Sequence, residues 1–249
     1  MDFRKKYMKK NVLIFPTSQE TADALAEFLV KEIDQIITGS GNCTIALSGG
    51  NTPRILFAVL ADKYSGSVDW PKVNIFWVDE RCVAPEDPQS NYGMTKDSLL
   101  DKIIIPSSCI HRIHGEDDPE KEALRYADEI KRYVTFKNGF PSFDIILLGM
   151  GDDGHTASIF PGSESLFQSG MICVAVVNPL SGQKRVTITG SVINNGSIVL
   201  VFATGKGKSG IIGELLGSDR PSGIYPISRV APADGRLLWY IDRDAGGMS

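Results

Sequence analysis

Residues 143–162, FDIILLGMGDDGHTASIFPG, decide the fold of this chain. The run from Ile145 to Leu148 is short, branched and apolar, and it ends at Gly149. Such a run is typical of a strand buried in a parallel sheet. A glycine-rich acidic loop follows and delivers His155 directly before a predicted helix start at Thr156. Ligands bind beyond the carboxyl ends of strands in open α/β sheets, so the segment predicts a functional histidine at that edge.

Outward from this segment, apolar strands alternate with amphipathic helices. Strands are predicted at 12–15, 43–47, 73–78, 172–177, 185–189, 198–203 and 237–241. Helices are predicted after the capping pattern Thr17 to Glu20 and at 53–60, 92–100, 119–134 and 210–216. This alternation predicts an α/β fold, with a mostly parallel sheet covered by helices on both faces. No linker or repeat divides the sequence, so residues 1–249 are predicted to form a single domain.

Composition excludes two kinds of partner. The net charge of −4 offers no basic face for nucleic acid, although a local cluster of cations can still bind a small anion. No window approaches the roughly 18 apolar residues of a membrane span, and the apolar stretch at 12–15 is too short for a secretory signal. The four cysteines are widely spaced and form no CxxC pair, which is typical of a reducing compartment. We therefore expect a cytoplasmic protein.

The loop Ser48-Gly49-Gly50-Asn51-Thr52 lies between a predicted strand and a predicted helix. Its glycines let the backbone approach a ligand closely, its hydroxyls add hydrogen-bond donors, and the following helix offers unpaired backbone N–H groups. Together these features predict an anion site, typically for phosphate. The alternative interpretation is a tight strand–helix turn in which Thr52 caps the helix.

Cationic and acidic side chains lie at the ends of three other predicted strands. Arg185 begins a strand, Lys208 follows the strand that ends at 203, and Asp79-Glu80-Arg81 follows the strand 73–78. The two cations are candidates for binding an anion. The acidic pair could position sugar hydroxyls, and Arg81 could hold an anion with two donors. The alternative interpretations are solvated surface cations and a surface salt-bridge cluster.

Asp153 precedes His155 by two residues. An ordinary imidazole has a pKa of about 6.5 and can take a proton from water near neutral pH, and a nearby carboxylate can orient the ring. The alternative interpretation is a histidine that caps a helix.

Several other motif matches fail. Residues 149–154 fit the pattern GxGxxG, but no regular apolar helix follows, so NAD binding is not predicted. His111 and His114 have no evident third ligand, and no metal site is expected.

Taken together, these segments resemble the 6-phosphogluconolactonases of the shorter α/β kind, in the glucosamine-6-phosphate isomerase/6-phosphogluconolactonase family. The resemblance spans nearly the whole chain in order, and HTASIFPG is its most specific element. The matching stretches are 47–57, 78–94, 147–162, 184–189, 204–210 and 237–245. Asp152 stands where a proline is common in the family, and Asn51 stands where a serine is common.

The resemblance implies hydrolysis of 6-phospho-D-glucono-1,5-lactone to 6-phospho-D-gluconate, the second step of the oxidative pentose phosphate pathway. It also implies a fold shared with glucosamine-6-phosphate deaminases and ribose-5-phosphate isomerases. By the same resemblance, His155 looks like the general base. Arg185 and Lys208 look like phosphate ligands that act together with the loop 48–52. For the oxyanion, Arg81 or backbone N–H groups near Gly154 are the candidates.

The expected partner is a small sugar-phosphate lactone, with no cofactor, metal, nucleic acid or membrane, and the expected state is a monomer or small homo-oligomer. The nearest alternative is a deaminase or isomerase acting on an amino- or keto-sugar phosphate. Related deaminases carry a glutamate in the loop after the histidine, whereas residues 156–162 contain no carboxylate. A sugar-phosphate sensor without chemistry is a further alternative, but it would need an attached DNA-binding module, and no such pattern appears.

Overall fold

The protein is described by a computed structural model that covers residues 11–217 and 224–248. The predicted strand at 12–15 and the helix after Thr17 are both present. The elements in chain order are β1 (Val12–Phe15), α1 (Ser18–Ser40), β2 (Cys43–Leu47), α2 (Asn51–Tyr64), β3 (Val73–Trp77), β4 (Asp79–Arg81), α3 (Asn91–Ser98), β5 (Ile110–His111), α4 (Pro119–Tyr133), β6 (Phe136–Lys137), β7 (Phe140–Pro141), β8 (Ile145–Leu148), β9 (Cys173–Val177), β10 (Lys184–Ile188), α5 (Gly190–Ile193), β11 (Ile198–Ala203), α6 (Ser209–Gly217) and β12 (Arg236–Asp242).

Seven parallel strands form the central sheet in the order β1-β12-β11-β8-β2-β3-β5. From β2 the chain proceeds outward through β3 to β5, and from β8 it proceeds in the opposite direction through β11 to β12. The order therefore reverses between the neighbouring strands β2 and β8. In sheets of this kind the crevice at such a reversal is where ligands bind, so the loops after β2 and β8 are placed at the favoured position.

Helices cover both faces of the sheet, as predicted. A right-handed crossover places its helix on one face of the sheet when the next strand is added on one side, and on the opposite face when the next strand is added on the other side. In agreement, α1 packs against α2 and α2 against α3, whereas α4 packs against β9 and β10. All four residues of β8 are fully buried, as expected for a strand with both faces covered. No helix among the described residues is long and apolar enough to cross a membrane.

Helix α1 illustrates how local signals set the ends of an element. The Thr17 side chain accepts a hydrogen bond from the Glu20 backbone N–H at 3.1 Å, and its hydroxyl donates to the Glu20 carboxylate at 2.8 Å. The first bond belongs to the capping box that the sequence predicts, whereas the Glu20 carboxylate accepts from the Thr17 hydroxyl and not, as in a full capping box, from the backbone N–H of the cap residue. The helix ends at Ser40, and the cap residue Gly41 has a φ of 87°, a left-handed conformation that favours glycine.

Three short strands form a separate antiparallel sheet in the order β4-β10-β9. The strands predicted at 172–177 and 185–189 are present, but they belong to this second sheet and not to the parallel one. Only about six residues, 178–183, connect β9 to β10, and parallel strands need a crossover of a dozen residues or more.

The predicted helix start at Thr156 is wrong. Thr156 and Ile159 instead pair across a tight turn in which Ala157 has a φ of 50°.

Candidate active site

A cleft of about 320 Å³ opens at the carboxyl ends of β2 and β8. Most of the residues singled out from the sequence contribute to its wall. The lining residues are Ser48, Gly49, Gly50, Asn51, Thr52, Pro53, Asp79, Arg81, Asn91, Gly149, Met150, Gly151, His155, Ala157, Arg185, Phe202, Ala203 and Lys208.

The loop after β2 forms one wall of the cleft. The backbone N–H of Ser48 donates to the Leu147 carbonyl at 3.0 Å, and its hydroxyl accepts from the Gly149 N–H at 3.1 Å. These bonds tie the loop after β2 to the loop after β8. Gly50 precedes α2 with a φ of 105°, so the helix begins at Asn51, two residues earlier than predicted. The unpaired N–H groups of a helix's first turn favour an anion.

His155 and Asp153 form a hydrogen-bonded pair within the loop after β8. The Nδ1 atom of His155 lies 2.5 Å from an Asp153 carboxylate oxygen, which also accepts the His155 backbone N–H at 3.1 Å. Both side chains are partly exposed, His155 at 28% and Asp153 at 32%. Since Nδ1 is engaged by the carboxylate, Nε2 is the ring nitrogen left to exchange a proton in the cleft.

The pKa of Asp153 is held below its usual value. Burial by itself would raise this pKa, but the backbone N–H of His155, the charge of its ring and the ring hydrogen bond together outweigh burial. The carboxylate therefore stays ionised, in the state that orients the imidazole and stabilises its protonated form.

Two glycines shape this loop. A Cβ on Gly151 would lie 2.1 Å from Nδ1 of His155, so only glycine leaves room for the ring in its present position. Gly154 has a φ of 80°, and a Cβ there would lie 2.7 Å from the ring of Tyr225. The loop conformation that presents His155 thus depends on both glycines.

Strands β4 and β10 form the opposite wall. Arg81 and Arg185 are direct cross-strand partners, so their side chains leave the sheet on the same face, and both line the cleft. Arg185 approaches Asp79 at 3.7 Å and its pKa is lowered, chiefly by burial. In the part of the chain that the structure describes, the Nε atoms of Arg81 and Arg185 are buried and have no hydrogen-bond partner. Two partly buried cations, each with an unused Nε donor, make this wall attractive to a bound anion.

Glu80 does not reach the cleft, and its predicted role in positioning a sugar hydroxyl is wrong. Alternate residues of a strand point to opposite faces, so Asp79 and Arg81 face the cleft while Glu80 points away. Its carboxylate accepts hydrogen bonds from the backbone N–H groups of Arg81, Asn91 and Tyr92 at 2.7 Å and from the Ser90 hydroxyl at 3.1 Å. Burial raises the pKa of Glu80, and these N–H donors oppose that rise. Glu80 therefore caps the start of α3.

Two residues around Asp79 were not predicted from the sequence. The Ser158 hydroxyl donates to the Asp79 carboxylate at 2.6 Å, and the Asn91 side-chain N–H donates to the Asp79 carbonyl at 2.8 Å. The second bond fixes the orientation of the Asn91 amide, whose oxygen is buried with no donor among residues 11–217 and 224–248. Ser158 belongs to the HTASIFPG element, and Asn91 to the stretch 78–94, but neither residue carries a local signal of contact with Asp79.

Lys208 lies at the end of the loop after β11, and its side chain contributes to the cleft. Its ammonium group lies 2.5 Å from a carboxylate oxygen of Asp152, in the loop that also carries His155. Thr204, at the start of the same loop, has its hydroxyl 3.3 Å from that of Thr52. The loops after β2, β8 and β11 therefore meet at the cleft.

One cluster of potential metal ligands exists among the described residues, at His114, Asp117 and Glu122. It lies outside the cleft, and Glu122 already accepts two hydrogen bonds from the Arg125 guanidinium, at 2.6 and 2.7 Å. A cation there would have to compete with a bound guanidinium. His111 is engaged by Glu129 at 2.8 Å and by Asn74 at 3.1 Å and packs inside the fold.

Residues 16–239 match the family model described as glucosamine-6-phosphate isomerases/6-phosphogluconolactonase. The chain is 42% identical over 205 residues to a 6-phosphogluconolactonase of Treponema pallidum, a match that covers 82% of this chain and 83% of that protein. A solved 6-phosphogluconolactonase structure from Leishmania guyanensis has a TM-score of 0.81 at 29% identity, covering 95% of this chain and 97% of the other. A monomeric glucosamine-6-phosphate deaminase has the same TM-score of 0.81 at 22% identity, covering 96% of this chain and 100% of the other, and so shares the fold.

Proposed function

The chain belongs to the glucosamine-6-phosphate isomerase/6-phosphogluconolactonase family, and we propose that it hydrolyses 6-phospho-D-glucono-1,5-lactone with a water activated by His155. The observation that carries the proposal is the pair of His155 and Asp153, 2.5 Å apart, at the edge of a cleft with cationic walls. The match to a 6-phosphogluconolactonase at 42% identity supports the substrate.

The reaction needs a positioned water, a base and an oxyanion stabiliser. Water attacks C1 of the lactone while Nε2 of His155 accepts its proton, and Asp153 holds the ring and stabilises the imidazolium. The tetrahedral intermediate then breaks the bond between C1 and the ring oxygen. That oxygen leaves as the C5 hydroxyl after taking the proton from the imidazolium. A general base of this kind contributes about 10²–10⁴-fold.

Arg81 is proposed to stabilise the oxyanion that develops on the carbonyl oxygen. One of its terminal nitrogens donates to the Gln89 carbonyl at 2.5 Å, which anchors the side chain, while Nε has no partner among the described residues. A donor held in place before the reaction lowers the barrier, because it does not have to reorganise; one such donor contributes about 10²–10³-fold.

The phosphate is proposed to bind Lys208, Arg185 and the loop Ser48 to Thr52. All of these line the cleft, and the loop adds the N-terminus of α2. Binding the phosphate end of the sugar would hold C1 next to the attacking water, which is catalysis by positioning. Asp79, held by Ser158, is proposed to position a sugar hydroxyl.

The deaminase alternative predicts a different product. The turn after His155 supplies no carboxylate to the cleft: Ala157 lines it, and Ser158 is bonded to Asp79. Ammonia release from glucosamine 6-phosphate, measured beside lactone hydrolysis, discriminates the two reactions. Ammonia release that exceeds lactone hydrolysis would favour the deaminase.

The direct test replaces His155. We expect His155→Asn to lower kcat by at least about 10²-fold, because it removes the general base. The melting temperature should stay within a few degrees, because the side chain is partly exposed. His114→Asn is the matched control, since His114 is similarly exposed but lies outside the cleft. Hydrolysis is followed by proton release against the spontaneous rate, and a His155→Asn enzyme that keeps a third of the normal kcat would exclude this base.

The wider assignment follows the same reasoning. We propose that residues 1–249 act as one domain, because one continuous hydrophobic core runs through the described residues. We also propose a cytoplasmic location, since the four cysteines are free. No cofactor or metal enters the proposed reaction, no nucleic acid or membrane partner is proposed, and a monomer or small homo-oligomer is expected.

A further inference from the structure

The ion pair between Lys208 and Asp152 joins the proposed phosphate anchor to the loop that carries the base. The two residues are 56 positions apart in the chain, and their charged atoms lie 2.5 Å apart. Gly207 lets the loops approach, since a Cβ there would lie 3.1 Å from the Asp152 carboxylate.

The two partners differ sharply in exposure. The Lys208 side chain is 17% exposed and lines the cleft, whereas the Asp152 side chain is 76% exposed and does not line it. A carboxylate that is already largely hydrated loses little when its partner is withdrawn. Asp152 is therefore well suited to a contact that is made and released with each turnover.

A phosphate group and this carboxylate compete for the same ammonium group. Both are anionic acceptors, and a phosphate dianion bound to Lys208 would also be repelled by the neighbouring Asp152. Hydrolysis converts the neutral lactone group into a carboxylate, so the product carries one more negative charge than the substrate. The repulsion from Asp152 therefore acts on the product at least as strongly as on the substrate.

We propose that Asp152 is an internal competitor for the phosphate anchor: it occupies Lys208 in the empty cleft, weakens binding of the phosphorylated ligands and favours release of the product. Asp152 is a positioning residue that acts through Lys208 and touches no reacting atom. This inference rests on the proposed function, because it takes Lys208 as a phosphate ligand.

Asp152→Asn is the test, because it removes the charge and keeps the size of the side chain. We expect KM for the lactone and the inhibition constant of 6-phosphogluconate both to fall by about three- to fivefold, the contribution of an exposed ion pair. We expect kcat to stay or to fall, since tighter product binding cannot speed release. Asp128→Asn is the matched control, because Asp128 makes a similar exposed pair with Lys131 at 2.9 Å, on α4 away from the cleft.

A double-mutant cycle shows whether the effect passes through Lys208. In a Lys208→Met background, Asp152→Asn should leave KM and the inhibition constant unchanged within twofold. Unchanged or raised constants in the single variant would overturn the proposal, and so would an undiminished effect in the Lys208→Met background.

Binding of inorganic phosphate, measured by calorimetry, separates the two proposals. Tighter phosphate binding in Asp152→Asn supports competition at Lys208, even if the wild-type protein proves inactive on the lactone. In that case the proposed function fails while the inference about this contact stands. Phosphate affinity that is unchanged in the variant overturns the competition.

Discussion

Gly151→Ala should disable the proposed catalytic pair while leaving the fold intact. A Cβ at this position would lie 2.1 Å from Nδ1 and 2.2 Å from Cε1 of His155, and 2.7 Å from an Asp153 carboxylate oxygen. Ordinary van der Waals contact begins at 3.4 Å, so the ring must retreat by about 1.3 Å, the difference between 3.4 and 2.1 Å. Gly151 does not have a positive φ, so alanine imposes no backbone strain there.

The size of the effect follows from that displacement. A misplacement of about 1 Å in a reacting group costs on the order of 10²-fold in rate. We therefore expect kcat for lactone hydrolysis to fall by about 10²-fold, measured by proton release against the spontaneous rate. Affinity for 6-phosphogluconate, measured by calorimetry, should change little, because the proposed phosphate ligands stay in place.

Gly149→Ala is the matched control in the same loop. It also lines the cleft, but a Cβ there would meet nothing within 4 Å. We expect its kcat to stay within about threefold of the wild type. A Gly151→Ala enzyme as active as the Gly149→Ala enzyme would refute the reasoning, because the ring would then tolerate a shift of more than 1 Å.

Two further outcomes are expected from the wall of the cleft and from the core. Arg185→Ala should raise KM for the phosphorylated lactone by about tenfold or more, because a charge-assisted hydrogen bond is lost. Lys184→Ala, at the exposed neighbouring residue, should leave KM unchanged. Equal KM values for the two variants in steady-state assays would place the phosphate elsewhere. Burial lowers the pKa of His111 from its ordinary 6.5, although the hydrogen bond with Glu129 opposes the shift. The free energy of unfolding should therefore be constant above about pH 6.5 and should fall as the pH drops from 6.5 through the lowered pKa. His111→Gln should lessen that fall in urea unfolding between pH 8 and 5, while His114→Gln leaves it in place; parallel curves for wild type and His111→Gln would assign the loss of stability to other groups.

Much of the architecture was predictable because it depends on local signals. The strands at 43–47, 145–148 and 198–203 occur where the apolar runs predict them, since an uninterrupted branched run is stable only when buried on both faces. The polar loops that follow the strands were correctly placed on the cleft, because carboxyl ends of parallel strands share one edge of the sheet. His155, Asp153 and Lys208, which lie in such loops, could therefore be singled out before any contact was known.

The errors lie where a residue's surroundings come from distant parts of the chain. The sequence predicts that the strand ends at Val78, which leaves the face of each of the residues Asp79 to Arg81 undetermined and makes Glu80 a candidate for the cleft. Pairing of β4 with β10 turns these residues into a strand and sends Glu80 to the opposite face. The bonds from Ser158 and Asn91 to Asp79 were missed for the same reason, because they join segments separated by 79 and 12 positions.

The amino-acid sequence by itself determined the kinds of element, their approximate limits and the side chains that follow each strand, because period, capping and glycine placement act over a few residues. Tertiary structure alone decided the strand order that makes β2 and β8 neighbours, the face that each β4 residue presents, and the meeting of Asp152 with Lys208. The physical reason is that sheet order and loop contacts are selected by the summed burial and hydrogen bonding of the whole chain. No single segment contains that sum.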